Sequence, residues 1–218
     1  MKILLLSSSP RKENSQTLLL AKEVLKGCDT ASVKSEIINL HDLKIEFCRH
    51  CEACHKKILC CPIEDDVGAV LKNMLEADAI ILASPNYINQ ITASMKAFFD
   101  RSSHFIHCKR LTGKYIIGVV CSGSGEDDEI LRYMKHYANA CGAQYAGGVS
   151  SGVPVSDEKK KEGLNLGKML TAAIKEKKLF PEQLSIIETN KERFKKVMEK
   201  RKDDWAEEYQ YWKDNGWL

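Results

Sequence analysis

The chain has 218 residues, 44% of them hydrophobic, and its 33 basic and 30 acidic residues give a formal charge of +3. This length is sufficient for one sizeable core, so we expect a single domain with a C-terminal extension. Neither charge sign forms a long unbroken run, which argues against nucleic acid as a partner.

The first predicted element is a buried strand at residues 2–8, KILLLSS. One lysine and four apolar residues are too few for a secretion signal. No later stretch reaches the roughly 18 to 20 apolar residues of a membrane span. We therefore expect a cytoplasmic protein that has no membrane partner, and in that compartment a tight group of cysteines more often indicates metal or redox chemistry than crosslinking.

Helices and strands then alternate as far as residue 150. Amphipathic spacing predicts helices at 15–28, 65–77, 91–102 and 126–142. Alternation of apolar and polar residues predicts a strand at 32–40, and further strands are predicted at 78–84, 114–121 and 143–150. This alternation of helices and strands is typical of an α/β fold in which helices cover both faces of a parallel sheet. Beyond residue 156 the sequence is helical and rich in Lys and Glu, as on a solvated helix face.

Polar side chains follow the first predicted strand, in the segment SSSPRKENSQT at 7–17. The segment offers several hydroxyls, the cation Arg11, and a turn at Pro10 that leads into a helix. Free backbone N–H groups and the helix dipole make such a position an anion site. The segment is neither a Walker loop nor GxGxxG, and its hydroxyls and amides suit the phosphate of flavin mononucleotide (FMN). A serine-rich turn capped by Asn14 or Ser15 is the alternative.

Two further loops follow the third and fourth predicted strands. The segment SPNYINQ at 84–90 supplies a turn and the flat ring of Tyr87, and CSGSGEDDE at 121–129 has two glycines that permit close backbone approach. In doubly wound sheets, ligands bind outside the carboxyl ends of the strands at a topological switch point. Both loops could be ordinary turns, but their shared edge with residues 7–17 favours a flavin site.

Five of the nine cysteines lie in the run CRHCEACHKKILCC at 48–61. Two-residue gaps let several thiolates come from one looping segment, as in iron–sulfur cubanes, whereas zinc sites more often divide their ligands between two distant knuckles. The spacing favours a cubane over zinc, although His50 or His55 could complete a zinc site. Scattered free thiols are the third interpretation. The other four cysteines are predicted to be small core residues: Cys28, Cys108, Cys121 and Cys141.

Together these motifs resemble a known family. The segments SSSPRKENSQT, SPNYINQITASMKAFFDR and CSGSG are similar to the FMN-binding loops of the flavodoxin-like NAD(P)H-dependent FMN reductase family. The cysteine spacing narrows the resemblance to the iron–sulfur flavoproteins, over roughly residues 1–150. The resemblance implies a flavodoxin-like doubly wound sheet of five parallel strands in the order 2-1-3-4-5. It also implies FMN and a [4Fe–4S] cluster in each subunit, and a homo-oligomer that is a dimer or tetramer.

The resemblance also assigns residues to the two cofactors. The implied FMN-binding residues are Ser7, Ser9, Arg11, Ser15, Gln16, Thr17, Pro85, Asn86, Tyr87, Ile88, Ser122 and Gly123. The implied cluster ligands are Cys48, Cys51, Cys54 and Cys60. Cys61 leaves the fourth ligand open, because adjacent side chains in an extended segment point to opposite sides. Spacing after Cys54 favours Cys60, and Pro62 restrains Cys61 toward an extended backbone.

The chain is expected to divide at about residue 180. Residues 1–180 would form the FMN-binding domain with a cysteine loop at 44–66, and residues 181–218 would form a helical, aromatic extension. Trp205, Tyr209 and Trp212 are spaced to share one helix face. Such a stripe most often packs on the protein's own body, and a subunit contact is the alternative.

Three functional hypotheses follow. The leading one is an iron–sulfur flavoprotein that transfers electrons between a [4Fe–4S] cluster and FMN and reduces small acceptors or oxygen species, with ferredoxin or NAD(P)H as donor. The second is an NAD(P)H-dependent FMN reductase that acts on quinones or nitro compounds, with zinc or no metal at the cysteines. The third is a metal- or redox-sensing module without enzymatic activity. The sequence shows no acid–base or nucleophile constellation, and electron transfer requires none.

Overall fold

The structure is a computed structural model that describes residues 1–28 and 31–218. Its sheet has five strands in the order β2-β1-β3-β4-β5, and every neighbouring pair is parallel. The strands are β1 Lys2–Ser7, β2 Lys34–Asn39, β3 Ala79–Pro85, β4 Tyr115–Ser122 and β5 Gln144–Gly152. The predicted fold class and strand order are confirmed.

The helices cover both faces of this sheet. They are α1 Gln16–Cys28, α2 Ala53–Lys56, α3 Val67–Glu76, α4 Ala93–Asp100, α5 Ser103–His107, α6 Asp128–Ala140, α7 Asp157–Glu176, α8 Pro181–Lys200 and α9 Ala206–Asp214. Side chains alternate between faces along each strand. Accordingly Ile3 and Leu5 pack with α1 and α7, whereas Leu4 and Leu6 pack with α3, α4 and α6.

Helices α1 and α7 approach each other through glycine. A Cβ added to Gly167 would lie 1.9 Å from the carbonyl oxygen of Val24, and one added to Gly27 would lie 2.0 Å from that of Leu164. No real side chain tolerates such distances. These glycines therefore set the position of α1, whose first turn faces the loop that follows β1.

The helix predicted at 91–102 corresponds to α4, and a separate short helix, α5, follows it outside the predicted range. Thr92 caps α4, because its hydroxyl accepts a hydrogen bond from the N–H of Met95 at 3.4 Å. At the other end, the N–H of Arg101 is shared between the carbonyl oxygens of Ala97 and Phe98 at 3.2 and 3.1 Å. This tightening is common at helix ends, and α5 begins two residues later.

Residues 181–218 form α8, α9 and a short terminal segment. Trp205 and Trp212 are buried with Met198 and Cys108 in a cluster of their own. The aromatic stripe therefore packs on the body of the same chain, as predicted. The four cysteines predicted to be core residues, Cys28, Cys108, Cys121 and Cys141, are all buried. Within the two described ranges, no helix has the length and apolar character needed to cross a membrane.

Candidate functional site

A cavity of about 310 Å³ opens at the carboxyl edge of the sheet, and we call it the sheet-edge cavity. Three loops and the start of α1 form its wall, and the lining residues are Ser9, Arg11, Ser15, Gln16, Thr17, Pro85, Asn86, Tyr87, Cys121, Ser122, Gly123 and Val153. The structure thus brings together the three loops that the sequence singled out. Arg11 is the one charged side chain in this lining.

The end of the cavity at α1 is built to receive an anion. Ser15 takes up two backbone donors of the first turn, since its hydroxyl accepts from Leu18 N at 3.2 Å and its carbonyl accepts from Leu19 N at 2.9 Å. The N–H groups of Gln16 and Thr17 have no partner among the described residues. Two free N–H groups, the helix dipole and the Arg11 guanidinium suit a phosphate group.

The other walls are fixed by hydrogen bonds between loops. The Asn86 amide nitrogen donates to the Glu126 carbonyl at 3.1 Å and to the Asp127 carboxylate at 3.2 Å, which joins the loops after β3 and β4. The Gln16 side-chain oxygen accepts from Val155 N at 2.9 Å, which ties α1 to the segment after β5. These polar contacts therefore fix the segments that line the cavity relative to one another.

Two predicted residues lie away from this lining. Ser7 is buried at the end of β1, and its hydroxyl has no hydrogen-bond partner among the described residues. Ile88 is fully exposed, in a left-handed backbone conformation with φ of 53°. Cys121 and Val153 line the cavity but were not predicted. Cys121 ends the apolar run of β4, which the sequence shows, whereas nothing in the local pattern points to Val153.

A second cavity, of about 350 Å³, lies under the cysteine loop, residues 44–66, and we call it the cysteine cavity. Four thiols line it, from Cys48, Cys51, Cys54 and Cys61. The other lining residues include His50, His55, Ser103 and His107, and the cations Arg49, Arg101 and Arg201.

The structure separates the two adjacent cysteines. Cys61 lines the cavity and its sulfur accepts a hydrogen bond from Arg101 Nη2 at 3.3 Å. Cys60 is not among the lining residues, although both thiols are exposed. All nine cysteines are free thiols. Three of the four predicted ligands therefore meet around one cavity, and Cys61 takes the fourth position beside them.

A buried ion pair closes the base of the cysteine loop. Arg101 Nη1 and Nη2 donate to the Asp65 carboxylate at 2.6 and 3.1 Å, and both side chains are at most 2% exposed. Arg101 also donates to the Glu46 carbonyl at 2.8 Å, so it joins both ends of the loop. Burial raises the pKa of Asp65, but the hydrogen bonds and charge of Arg101, together with hydrogen bonds from the N–H groups of Glu46 and Val67, hold that pKa below the ordinary value.

The backbone of the loop curls around the cavity. His50, Glu52 and Leu59 all have positive φ, at 50°, 59° and 62°. Such conformations cost non-glycine residues free energy and persist where surrounding contacts enforce them. The N–H of His50 points at the Cys48 sulfur at 3.4 Å, an interaction typical of segments that present thiolates to a metal.

The donor set of the cysteine cavity fits an iron–sulfur cluster. Four thiols without disulfides, with N–H donors directed at two of the sulfurs, are the ligands that cubanes take. Burial raises the pKa of Cys54 to about 11, so metal binding must supply the free energy for its deprotonation. The sheet-edge cavity similarly fits FMN, with an anion pocket at α1 and loops that form a slot.

Comparison with known proteins agrees with this geometry. Residues 1–157 match the family model of the NADPH-dependent FMN reductases. An iron–sulfur flavoprotein of Archaeoglobus fulgidus is 30% identical over 223 residues, an alignment that covers 100% of both chains. An iron–sulfur flavoprotein of Methanocaldococcus jannaschii is 41% identical over 102 residues, which are 47% of this chain and 52% of that protein.

Solved structures share the fold. A flavone reductase superposes with a TM-score of 0.63 at 21% identity, over 80% of this chain and 63% of that one. RosB superposes with a TM-score of 0.65 at 16% identity, over 94% of this chain and 88% of that one. The family match over most of the chain and the full-length relative together show that this chain belongs to the iron–sulfur flavoproteins of the NADPH-dependent FMN reductase family.

Proposed function

We propose that this chain transfers electrons between FMN in the sheet-edge cavity and a [4Fe–4S] cluster in the cysteine cavity. The observation that carries the proposal is the convergence of four free thiols, from Cys48, Cys51, Cys54 and Cys61, on one cavity of a fold that has a separate flavin-type site. A plain FMN reductase has no use for such a ligand set.

At the sheet-edge cavity, the chain's work is to bind and orient. Arg11 and the free N–H groups of Gln16 and Thr17 would hold the phosphate. The half-exposed ring of Tyr87 stands at the mouth, where it would pack against the isoalloxazine. Burial raises the pKa of Cys121 to about 12, so this wall residue stays a neutral thiol. FMN supplies the two-electron redox chemistry there.

At the cysteine cavity, the chain would supply four thiolates, and the cations Arg49, Arg101 and Arg201 line the cavity together with the acids Glu52 and Asp100. Arg101 would donate to the sulfur of Cys61 while Asp65 fixes its guanidinium. A donor of this kind stabilises negative charge on the sulfur and so favours the reduced cluster. We propose Cys61 as the fourth ligand in place of Cys60, because it is the one of the pair that faces the other three thiols.

Helix α4 connects the two cavities. It begins directly after the loop at 84–90 and ends at Asp100 and Arg101, which line the cysteine cavity. Eight helical residues rise about 12 Å, which sets the scale of the distance between the two cavities within one chain.

We further propose a homo-oligomer, dimer or tetramer, with ferredoxin or NAD(P)H as electron donor and small molecules or oxygen species as acceptors. Exposed Tyr87 and Ile88 beside the sheet-edge cavity support such an assembly.

Composition analysis after anaerobic purification tests the proposal. Four irons, four sulfides and one FMN per chain support it. FMN without iron, or with zinc at the thiols, would instead indicate a plain FMN reductase acting on quinones or nitro compounds. Metal without FMN would indicate a sensing module. Cys51→Ala, with no neighbouring thiol to substitute, should lose the iron and keep the FMN, and Cys28→Ala is the matched control because Cys28 is buried in the core.

A further inference from the structure

The C-terminal extension reaches the cysteine loop with a group of side chains at the turn from α8 to α9. These residues form what we call the C-terminal clasp: Arg201, Trp205, Glu207 and Glu208. Their partners in the loop are Glu52, His55 and Ile58, all between Cys51 and Cys60. A segment far away in sequence is therefore tied to the stretch that carries Cys54.

The first contact stabilises an unfavourable backbone conformation. Glu52 is the residue after Cys51, and its φ of 59° and ψ of 9° are left-handed. Its carboxylate accepts hydrogen bonds from Trp205 Nε1 at 3.1 Å and from the guanidinium of Arg201. A non-glycine residue keeps such a conformation only when other contacts enforce it, and the clasp provides them. Glu52 lies between Cys51 and Cys54, so its left-handed conformation contributes to the direction of the chain between them.

The second contact is a fully buried carboxylate. Glu208 is 0% exposed, and its two oxygens bond to His55 Nδ1 at 2.7 Å and to His107 Nδ1 at 3.0 Å. The two imidazoles stack with ring centroids 4.6 Å apart, and Trp205 packs on both, at 4.6 and 4.8 Å. His55 directly follows Cys54, so Glu208 fixes the side chain next to a proposed ligand.

The distances from the Glu208 oxygens to the two histidines are those of hydrogen bonds. Two atoms each 2.0 to 2.1 Å from a tetrahedral zinc ion lie about 3.3 Å apart. The nitrogen–oxygen distances of 2.7 and 3.0 Å to Glu208 are shorter and fall in the range of N–H···O bonds. Glu208 therefore acts as an acceptor that holds His55 and His107 in place, and a mononuclear metal at this triad is the competing description that the experiment below excludes or supports.

A third contact reaches the backbone. Glu207 accepts a hydrogen bond from Ile58 N at 2.7 Å, on the far side of Cys54 from Glu52. Ile58 also packs against the aromatic cluster of Trp205 and Trp212. The clasp therefore contacts the loop on both sides of Cys54 in the sequence. Trp205 and Arg201 also line the cysteine cavity.

We propose that the C-terminal clasp is the positioning device of the iron–sulfur site: it holds the loop between Cys51 and Cys60 in the conformation that presents the thiols, and covers one side of the cavity. The inference rests on the proposed function, since it concerns the same four thiols. Glu208 and Trp205 are positioning residues, because they act on the ligands through His55 and Glu52 and bind no iron themselves.

Two substitutions test the clasp at different contacts. Trp205→Phe keeps an aromatic ring but removes the hydrogen bond to Glu52. Glu208→Gln removes the charge that accepts from both histidines. The control is Glu199→Gln, since Glu199 is exposed on α8 and has no ion pair among the described residues. Each variant is purified and reconstituted without oxygen, and FMN content reports whether the sheet domain is folded.

The measurements are iron and sulfide per chain, the rate at which a ferrous chelator removes the iron, and the electron paramagnetic resonance of the reduced cluster. Both clasp variants should bind FMN like the wild type, lose iron about 10 to 100 times faster, and give a shifted resonance, as for removal of groups that orient metal ligands. Glu199→Gln should match the wild type. If Glu208→Gln does not retain FMN, its sheet domain is not folded, and the test of the clasp then rests on Trp205→Phe.

Three outcomes would overturn the inference. Wild-type iron loss and resonance in both clasp variants would show that the clasp does not position the site, with the proposed function intact. If the wild type binds one metal ion in addition to the cluster and Glu208→Gln loses that ion, then His55, His107 and Glu208 form a metal site and not part of a positioning device. A wild-type protein that binds FMN but no iron would overturn the proposed function, and the inference with it.

Discussion

Two adjacent residues, Cys60 and Cys61, differ in what their side chains face. Both thiols are exposed, but Cys61 lines the cysteine cavity and contacts Arg101, whereas Cys60 does neither. We therefore expect Cys61→Ser to lose most of the bound iron and Cys60→Ser to keep it, because only one of two neighbouring side chains can reach the cavity without rearrangement. Iron content of the two variants, each prepared without oxygen, measures the difference.

The wild-type protein offers an independent check of the same assignment. With the cluster in place, a thiol-alkylating reagent should label Cys60 and leave Cys61 protected, as read by peptide mass spectrometry. Removal of the iron by a chelator should expose Cys61 to the reagent. Protection of Cys60 together with labelling of Cys61 in the iron-loaded protein would reverse the assignment.

A single cation lines the sheet-edge cavity, and its removal should weaken FMN binding. Arg11→Ala removes one charge-assisted contact to the phosphate, worth about 1.5 to 3 kcal/mol, or roughly 10- to 150-fold in the dissociation constant. Fluorescence titration of the flavin-free protein measures the change. The neighbouring Lys12, which pairs with Asp42 and does not line the cavity, gives the control Lys12→Ala. Equal FMN affinity in the two variants would remove Arg11 from the site.

At the scale of helices and strands, the position of helix α1 depends on its close approach to α7. Gly167→Ala places a methyl group 1.9 Å from the Val24 carbonyl, so the helices must separate, and we expect a loss of about 1 to 3 kcal/mol in the free energy of unfolding. Urea denaturation measures it. Gly68→Ala in α3 meets nothing within 4 Å and should be neutral or stabilising. Equal effects of the two substitutions would contradict close packing of α1 on α7.

The base of the cysteine loop should respond to pH through Asp65. Asp65→Asn leaves Arg101 buried without its partner, and we expect the free energy of unfolding to fall by about 3 to 5 kcal/mol at neutral pH. Because the pKa of Asp65 is lowered in the folded chain, its stabilisation is complete above the ordinary value of 3.8 and disappears as the pH falls below it. Denaturation of the metal-free wild type and variant at several pH values should show their difference shrinking in acid.

An exposed ion pair supplies the control for that experiment. Lys96 and Asp100 lie 2.5 Å apart on α4, with both side chains nearly half exposed. Asp100→Asn should cost at most about 1 kcal/mol, because water screens such pairs. If Asp65→Asn lowers the free energy of unfolding by no more than Asp100→Asn does, the pair with Arg101 does not stabilise the base of the loop.

The elements themselves were largely predictable from periodicity, and the contacts between distant elements were not. Apolar runs marked β1, β3 and β4, residue alternation marked β2, and the continuing order of helices and strands marked β5. Polar segments at the carboxyl ends of β1, β3 and β4 marked the sheet-edge cavity. Spacing favours Cys60 over Cys61, and the proposal of Cys61 rests instead on contacts with Arg101 and Asp65, which no local pattern connects. Likewise, the sequence showed Trp205 on an apolar face, but only the fold brings it to Glu52.

At the scale of the whole molecule, three separate parts of the chain divide the work. In the proposed function the sheet and its carboxyl-edge loops would bind FMN and the cysteine loop would supply the cluster ligands, while the C-terminal helices contact that loop. Helix α4 runs between the two cavities and so relates their positions. This arrangement permits a two-electron flavin to exchange single electrons with a one-electron cluster in one chain.

The most direct test of this account is a count of electrons. Anaerobic reductive titration of the purified wild-type protein, followed by visible absorption, measures the reducing equivalents that each chain accepts. FMN takes two electrons and a cubane takes one, so the account predicts about three per chain, and about two for Cys51→Ala. Two equivalents in the wild type, with a flavin spectrum unchanged by Cys51→Ala, would contradict a working cluster on these cysteines.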